Sequence, residues 1–160
     1  MHLLPLSAGT LDPAPAAVDL AQTPADVVVL SFSDGDLAGL AAAVEGSDGL
    51  PSLRLAALKG LAHPFSVDLY VEKVAARARM VIVRVLGGLD YWRYGLEELG
   101  AAARRHGFHL AAVPGCEQLD PRLDALSTLP EADLRRLWRY FREGGPENLR
   151  QAMLLSLIHI

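Results

Sequence analysis

Short apolar runs alternate with helix-spaced stripes along most of this chain. Residues 27–30 (VVVL) and 80–86 (MVIVRVL) are continuous, β-branched and too short for a buried helix, so both read as strands covered on two faces. Residues 109–113 (HLAAV) read as a third strand, and residues 2–6 (HLLPL) as a fourth with poorer alternation. Between them, Leu37, Leu40, Ala41 and Val44 form one stripe at i, i+3, i+4, i+7, and Val67, Tyr70, Val71 and Val74 form another. Each stripe predicts a helix that buries one face against a sheet. A further helix is predicted from residue 92 to 105, with Leu96, Leu99 and Ala103 inward and Gly107 ending it in the left-handed conformation. Strands alternating with helices mean βαβ units. The predicted class is therefore α/β, with a Rossmann-like or flavodoxin-like parallel sheet flanked by helices.

The pattern changes after Val113. Pro114-Gly115 and Asp120-Pro121 punctuate a loop, and residues 128–131 (TLPE) predict a capping box that opens a helix carrying Leu134, Leu137, Trp138 and Phe141 on one face. Gly144-Gly145 ends it, and Pro146 suits the first turn of another helix. The predicted organisation is an α/β domain over residues 1–126, then the start of a truncated helical extension over 127–154. Residues 155–160 (LSLIHI) break the preceding polar pattern. One reading frame of a common transposon-end sequencing adapter translates to this hexapeptide, so it is expected to be foreign to the fold. Residues 7–17 are a Pro/Ala-rich loop.

Composition narrows the function classes. With 160 residues, 51% hydrophobic and 21% charged, the chain can bury one continuous core. The net charge of −4 and the absence of a polybasic run remove the electrostatic footprint of a nucleic-acid binder. No apolar run approaches the roughly 20 residues needed to cross a bilayer, and the first residues lack the basic and apolar regions of a signal peptide. A single cysteine, Cys116, permits neither a disulfide framework nor a multi-cysteine metal site, which suits a reduced, cytoplasmic protein.

Ligands of parallel α/β sheets bind at the carboxyl ends of the strands, which here means the loops 31–36, 87–92 and 114–117. The second loop is the most distinctive. Gly87 and Gly88 let a partner approach the backbone, while Tyr91, Trp92 and Tyr94 offer flat amphipathic faces to a planar ligand or a protein surface. The same aromatics also suit a helix start packed beneath the loop. No GxGxxG or Walker motif is present, so a phosphate site has no motif behind it. Asp34 and Asp36 fit a helix start capped by Ser33, and a phosphoacceptor switch is disfavoured because glycines follow the central strand. His63, His106 and His109 have no companion ligand at metal-binding spacing, and Cys116 has no matched histidine. Arg135, Arg136, Arg139 and Arg142 read as a solvated helix face. No catalytic or metal-binding residue is therefore assigned.

Several blocks, taken in order, carry a resemblance: residues 22–26 (QTPAD), 50–55 (LPSLRL), 63–70 (HPFSVDLY), 86–88 (LGG) with 91–95 (YWRYG), 125–128 (ALST), 137–140 (LWRY) and 144–148 (GGPEN). Together they resemble the start of the large subunit of aerobic-type cobaltochelatases, the CobN type, within the family that includes the magnesium-chelatase H subunit. The resemblance implies an ATP-dependent enzyme of cobalamin biosynthesis that inserts Co²⁺ into hydrogenobyrinic acid a,c-diamide. It implies that the large subunit holds the corrin, and that two smaller AAA+-type partners hydrolyse ATP with Mg²⁺. Family members are several times longer, and no catalytic residue transfers onto this stretch, so the fragment is expected to be inactive alone. Two alternatives stay open: a stand-alone Rossmann-like module that binds a protein or small ligand, and a magnesium-chelatase homologue.

Overall fold

A computed structural model describes residues 10–12 and 16–160; the strand predicted at residues 2–6 lies outside them. Four parallel strands, β1 (Val27–Ser31), β2 (Leu53–Ala57), β3 (Met80–Val85) and β4 (His109–Pro114), form one sheet in the order β2-β1-β3-β4. Register places Val29 between Leu55 and Ile82, and Ile82 beside Ala111. Strands β1 and β3 are buried along their whole length, as their unbroken apolar runs require. The strand β2 was not predicted from the sequence. Its residues, LRLAA, carry no β-branched side chain, and it sits at the sheet edge, where Arg54 reaches back to the Thr23 carbonyl and hydroxyl oxygens at 2.6 and 2.9 Å.

Alternation along each strand splits the core into two layers. Val28, Leu30, Val81, Val83, Leu110 and Ala112 face helices α2 (Pro64–Lys73), α3 (Arg93–His106) and α4 (Pro121–Leu126). Val27, Val29, Met80, Ile82, Ala111 and Val113 face α1 (Asp34–Val44), α5 (Glu131–Glu143) and α6 (Gly145–His159). Helices α5 and α6 thus supply Leu134, Leu137, Phe141, Leu149 and Met153 to the same core layer as the sheet, so residues 127–154 pack as part of the α/β sandwich and not as a separate extension. Gly39 makes room for α6, because a Cβ there would stand 2.6 Å from Leu149. Helix α6 runs on through residues 155–159, with Leu155 and Ser156 buried.

The helices differ from expectation in detail. The predicted stripe on α2 is fully buried, and Gly107 caps α3 at φ 79°. On α1 the inward face is rotated: Asp36 and Leu40 are buried with Ala43 and Val44 partly so, while Ala41 is exposed. The predicted capping box is replaced by another arrangement. Pro130 precedes α5, and the Thr128 hydroxyl accepts from the Leu110 amide at 2.8 Å, fastening the segment to β4. Helix α4, also unpredicted, begins on the Asp120 cap with Pro121 in its first turn.

Candidate functional site at the carboxyl edge of the sheet

The chain goes from β1 to β2 on one side and returns to β3 on the other, so the topological switch lies between β1 and β3. At that point Ser31 ends β1 and Arg84 lies near the end of β3. The Ser31 hydroxyl donates to Asp36 Oδ2 at 2.7 Å, and Arg84 Nη1 donates to both Asp36 oxygens at 2.6 and 2.7 Å. Asp36 and Arg84 are both about nine-tenths buried. The guanidinium carbon stands 5.4 Å from the Phe32 ring centre and 5.7 Å from that of Phe141. Asp36 was read from the sequence as a residue of the helix start, and the Ser33 hydroxyl does accept from its amide at 3.3 Å. Its carboxylate, however, turns inward to neutralise the one cation within the β3 run.

Beside the switch, the loop after β3 meets the loop after β4. Gly87 adopts φ 92°, a conformation that favours glycine. Gly88 admits the Asp120 side chain, whose Oδ2 would lie 2.2 Å from any Cβ there. Asp120 Oδ2 accepts from the Leu89 amide at 2.9 Å, and Arg122 joins Asp120 to Asp90, which in turn pairs with Arg93. The Arg122 guanidinium beside Asp120 holds that carboxyl down at about 2. Hydrogen bonds from Arg93, then Arg122, lower Asp90 as well. From the other side, the Trp138 indole N–H donates to the Cys116 carbonyl at 3.0 Å, and Arg142 stacks on Trp138 while pairing with Glu117. Arg135 pairs with Asp124 at 2.5 Å. The arginines of α5, read from the sequence as a solvated face, therefore include two that brace the edge. Between the loops lies a shallow cleft of about 250 Å³ lined by Gly87, Gly88, Cys116, Leu119, Asp120 and Arg122.

The five contact candidates from the sequence are dispersed by this geometry. Gly87 and Gly88 line the cleft. Trp92 does not line the cleft; it is buried and donates its indole N–H to the Leu61 carbonyl at 3.0 Å, and Gly95 makes the room, since a Cβ there would lie 2.1 Å from the indole ring. Tyr91 is half-buried, with its ring edge-on to Phe32. Tyr94 faces solvent and donates its hydroxyl to Asp68 at 2.7 Å, which pushes its own ionisation up to about 12. Sequence reasoning missed Asp120 and Arg84. The signal for Arg84 was a lone cation inside an apolar strand run, which demands a buried acidic partner. His63 Nδ1 accepts from the Phe65 amide at 3.1 Å, as a helix cap. Among the described residues, no three His, Cys, Asp or Glu side chains converge as metal donors.

Fold and edge together define a parallel α/β unit with a braced surface at the carboxyl ends of its strands. No family model matches the chain. Aerobic cobaltochelatase subunit CobN from a Sinorhizobium species is 49% identical over 148 residues, covering 92% of this chain and 12% of that protein. The subunit of the same name from Pseudomonas aeruginosa is 47% identical over 152 residues, covering 94% and 12%. The catalytic subunit of cobaltochelatase from Mycobacterium tuberculosis superposes with a TM-score of 0.67 at 25% identity, over 84% of this chain and 10% of that one. In sequence and in fold the chain is similar to a segment of these cobaltochelatase subunits, and it spans 12% of the length of the curated relatives it matches. No described helix is long and apolar enough to cross a membrane.

Proposed function

We propose that the chain is the N-terminal part of the corrin-holding large subunit of an ATP-dependent cobaltochelatase, which inserts Co²⁺ into hydrogenobyrinic acid a,c-diamide during cobalamin biosynthesis. The observation that carries the reading is near-half identity to two CobN subunits over more than nine-tenths of the chain. Cobalt is substrate here, and ATP with Mg²⁺ is consumed by two smaller AAA+-type partner subunits. The role of this segment is architectural: it contributes a rigid α/β unit to the large subunit in the cytoplasm, and by itself it is inactive. Asp90, Asp120 and Arg122 at the edge neutralise one another, which suits bracing. The same reading takes residues 155–160 as adapter-encoded, and sequencing the source DNA across codons 153–160 tests that point.

The test of function is complementation. A Pseudomonas aeruginosa strain lacking its CobN would receive that subunit with the matched stretch replaced by residues 1–154 of this chain. Aerobic cobalamin production is expected to return. A grafted subunit that accumulates normally yet restores no cobalamin would overturn the reading.

A further inference from the structure

Seven large apolar side chains are exposed among the described residues, and their distribution is uneven. Phe65 and Tyr94 stand in the first turns of α2 and α3, Leu86 follows β3, and Leu119 lies in the loop after β4. All four are therefore at the carboxyl edge of the sheet. Val18 lies against the first turn of α2, where its amide donates to Ser66 Oγ at 2.8 Å. These five are 41–55% exposed, and the two remaining, Leu157 and Ile158, belong to the last turn of α6. That far end meets the amino end of β3, where Arg79 bonds the Ile160 carbonyl. Scattered exposed apolar residues carry no meaning, but a set gathered on one edge marks a surface that is covered in the working protein.

Among the described residues, the edge is also held rigid without being covered. Leu119 lines the 250 Å³ cleft and Leu86 directly precedes its Gly87, and their loops are pinned by Asp120, Arg122 and Asp90 on one side and by Trp138 on the other. A loop ordered in advance loses less freedom on association, so such bracing favours a permanent contact.

We infer that this carboxyl edge is the face by which the α/β unit docks onto the remainder of its own large subunit, through Leu86 and Leu119 at the centre and Phe65 and Tyr94 at the rim. The inference rests on the proposed function, and the occupant follows from chain length: nearly nine-tenths of each matched relative lies outside the stretch this chain covers. A macrocycle is a poorer occupant, since the cleft is shallow and none of the described residues lining it is aromatic.

The experiment uses the grafted full-length Pseudomonas subunit with p-benzoylphenylalanine placed, one at a time, at positions 86, 119 and 48. Asp48 follows α1 at the opposite edge and serves as the control. Irradiation and peptide mass spectrometry are expected to find crosslinks from positions 86 and 119 to peptides outside the grafted stretch, and none from 48. Crosslinks from 86 and 119 confined to the stretch itself, or reaching only the motor subunits or the corrin, would overturn the docking inference. Sedimentation of the free 160-residue chain adds a second check: a monomer is expected, whereas a dimer abolished by Leu119→Asp would make a second copy the occupant and refute the inference. Cobalt insertion by the same graft reads the proposed function separately, so an active graft with the wrong crosslinks sinks only the docking surface.

Discussion

Arg84 and Asp36, 48 residues apart, form a buried ion pair at 2.6 Å that ties β3 to α1, with the Phe32 and Phe141 rings flanking the guanidinium. The pair joins the central strand to the helix layer at the topological switch. Removing one partner leaves a charge without compensation in a site that water scarcely reaches, at a cost of about 3–5 kcal/mol. Arg84→Ala is therefore expected to lower the urea midpoint sharply. The double variant Asp36→Leu with Arg84→Met should regain much of the loss, because no uncompensated charge remains. A single variant as stable as the parent would show the pair to be dispensable.

Asp120 makes the edge sensitive to acid. Its pKa is depressed from 3.8 to about 2, first by the hydrogen bond from Arg122 and then by the Leu89 and Arg122 amides, which outweigh the opposing effect of burial. A folded-state pKa below the unfolded one stabilises above pH 3.8, and that stabilisation is lost as the pH falls toward 2. After allowance for screening at the half-exposed Arg122, it amounts to about 1–2 kcal/mol. Asp120→Asn should lower the thermal midpoint at neutral pH and flatten its fall between pH 4 and 2, as followed by circular dichroism. Parallel pH profiles for the two proteins would contradict the assignment.

Gly95→Ala offers a test in which the sign is diagnostic. In an ordinary helix interior the change stabilises by about 1 kcal/mol. In α3 the added methyl would lie 2.1 Å from the Trp92 indole ring, so the helix or the indole must shift. The expected result is destabilisation by about 1–3 kcal/mol, with a red-shifted Trp92 emission as the ring loses its buried place. A stabilised variant with unchanged emission would show that Trp92 does not pack there.

Tyr94 should titrate late. Its hydroxyl donates to Asp68, and ionisation would set phenolate against carboxylate, so its pKa rises to about 12, with burial adding to the effect. The favoured neutral form contributes stability below pH 10 that is lost as the pH rises through 12. Asp68→Ala should return one tyrosine to titration near 10, visible as phenolate absorbance. Tyr70 and Tyr91, raised by burial, should not move.

Much of the α/β plan was legible because it rests on local pattern. Residues 27–30 and 80–86 could bury both faces only as central strands, and Gly107 could end α3 because glycine tolerates positive φ. The strand β2 was hidden because two of its five residues are alanine and its place is fixed by pairing to β1 instead of by its own propensity. Thr128 misled in the opposite way: its capping sequence is real, but β4 claims the hydroxyl. The turn to a helical sequence after residue 126 suggested an extension, whereas α5 and α6 fold back to cover the second face.

The candidate edge was legible in outline only. The Gly87-Gly88 loop was singled out, yet its organiser, Asp120, lies in a segment that reads as turn punctuation. Trp92 gave the same apolar, aromatic signal whether facing outward or inward. Only Gly95, which opens space for the indole, separates the two outcomes, and that relation is set by helix geometry three residues on.

The central claim is tested most directly by cobalt insertion in vitro. Three versions of the Pseudomonas aeruginosa CobN subunit would be assayed with the proposed ATPase partners and corrin, Co²⁺ and ATP: intact, deleted for the matched stretch, and carrying residues 1–154 of this chain in its place. The account predicts that deletion abolishes cobalt incorporation and that the graft restores it. A folded graft that remains as inactive as the deletion would contradict it.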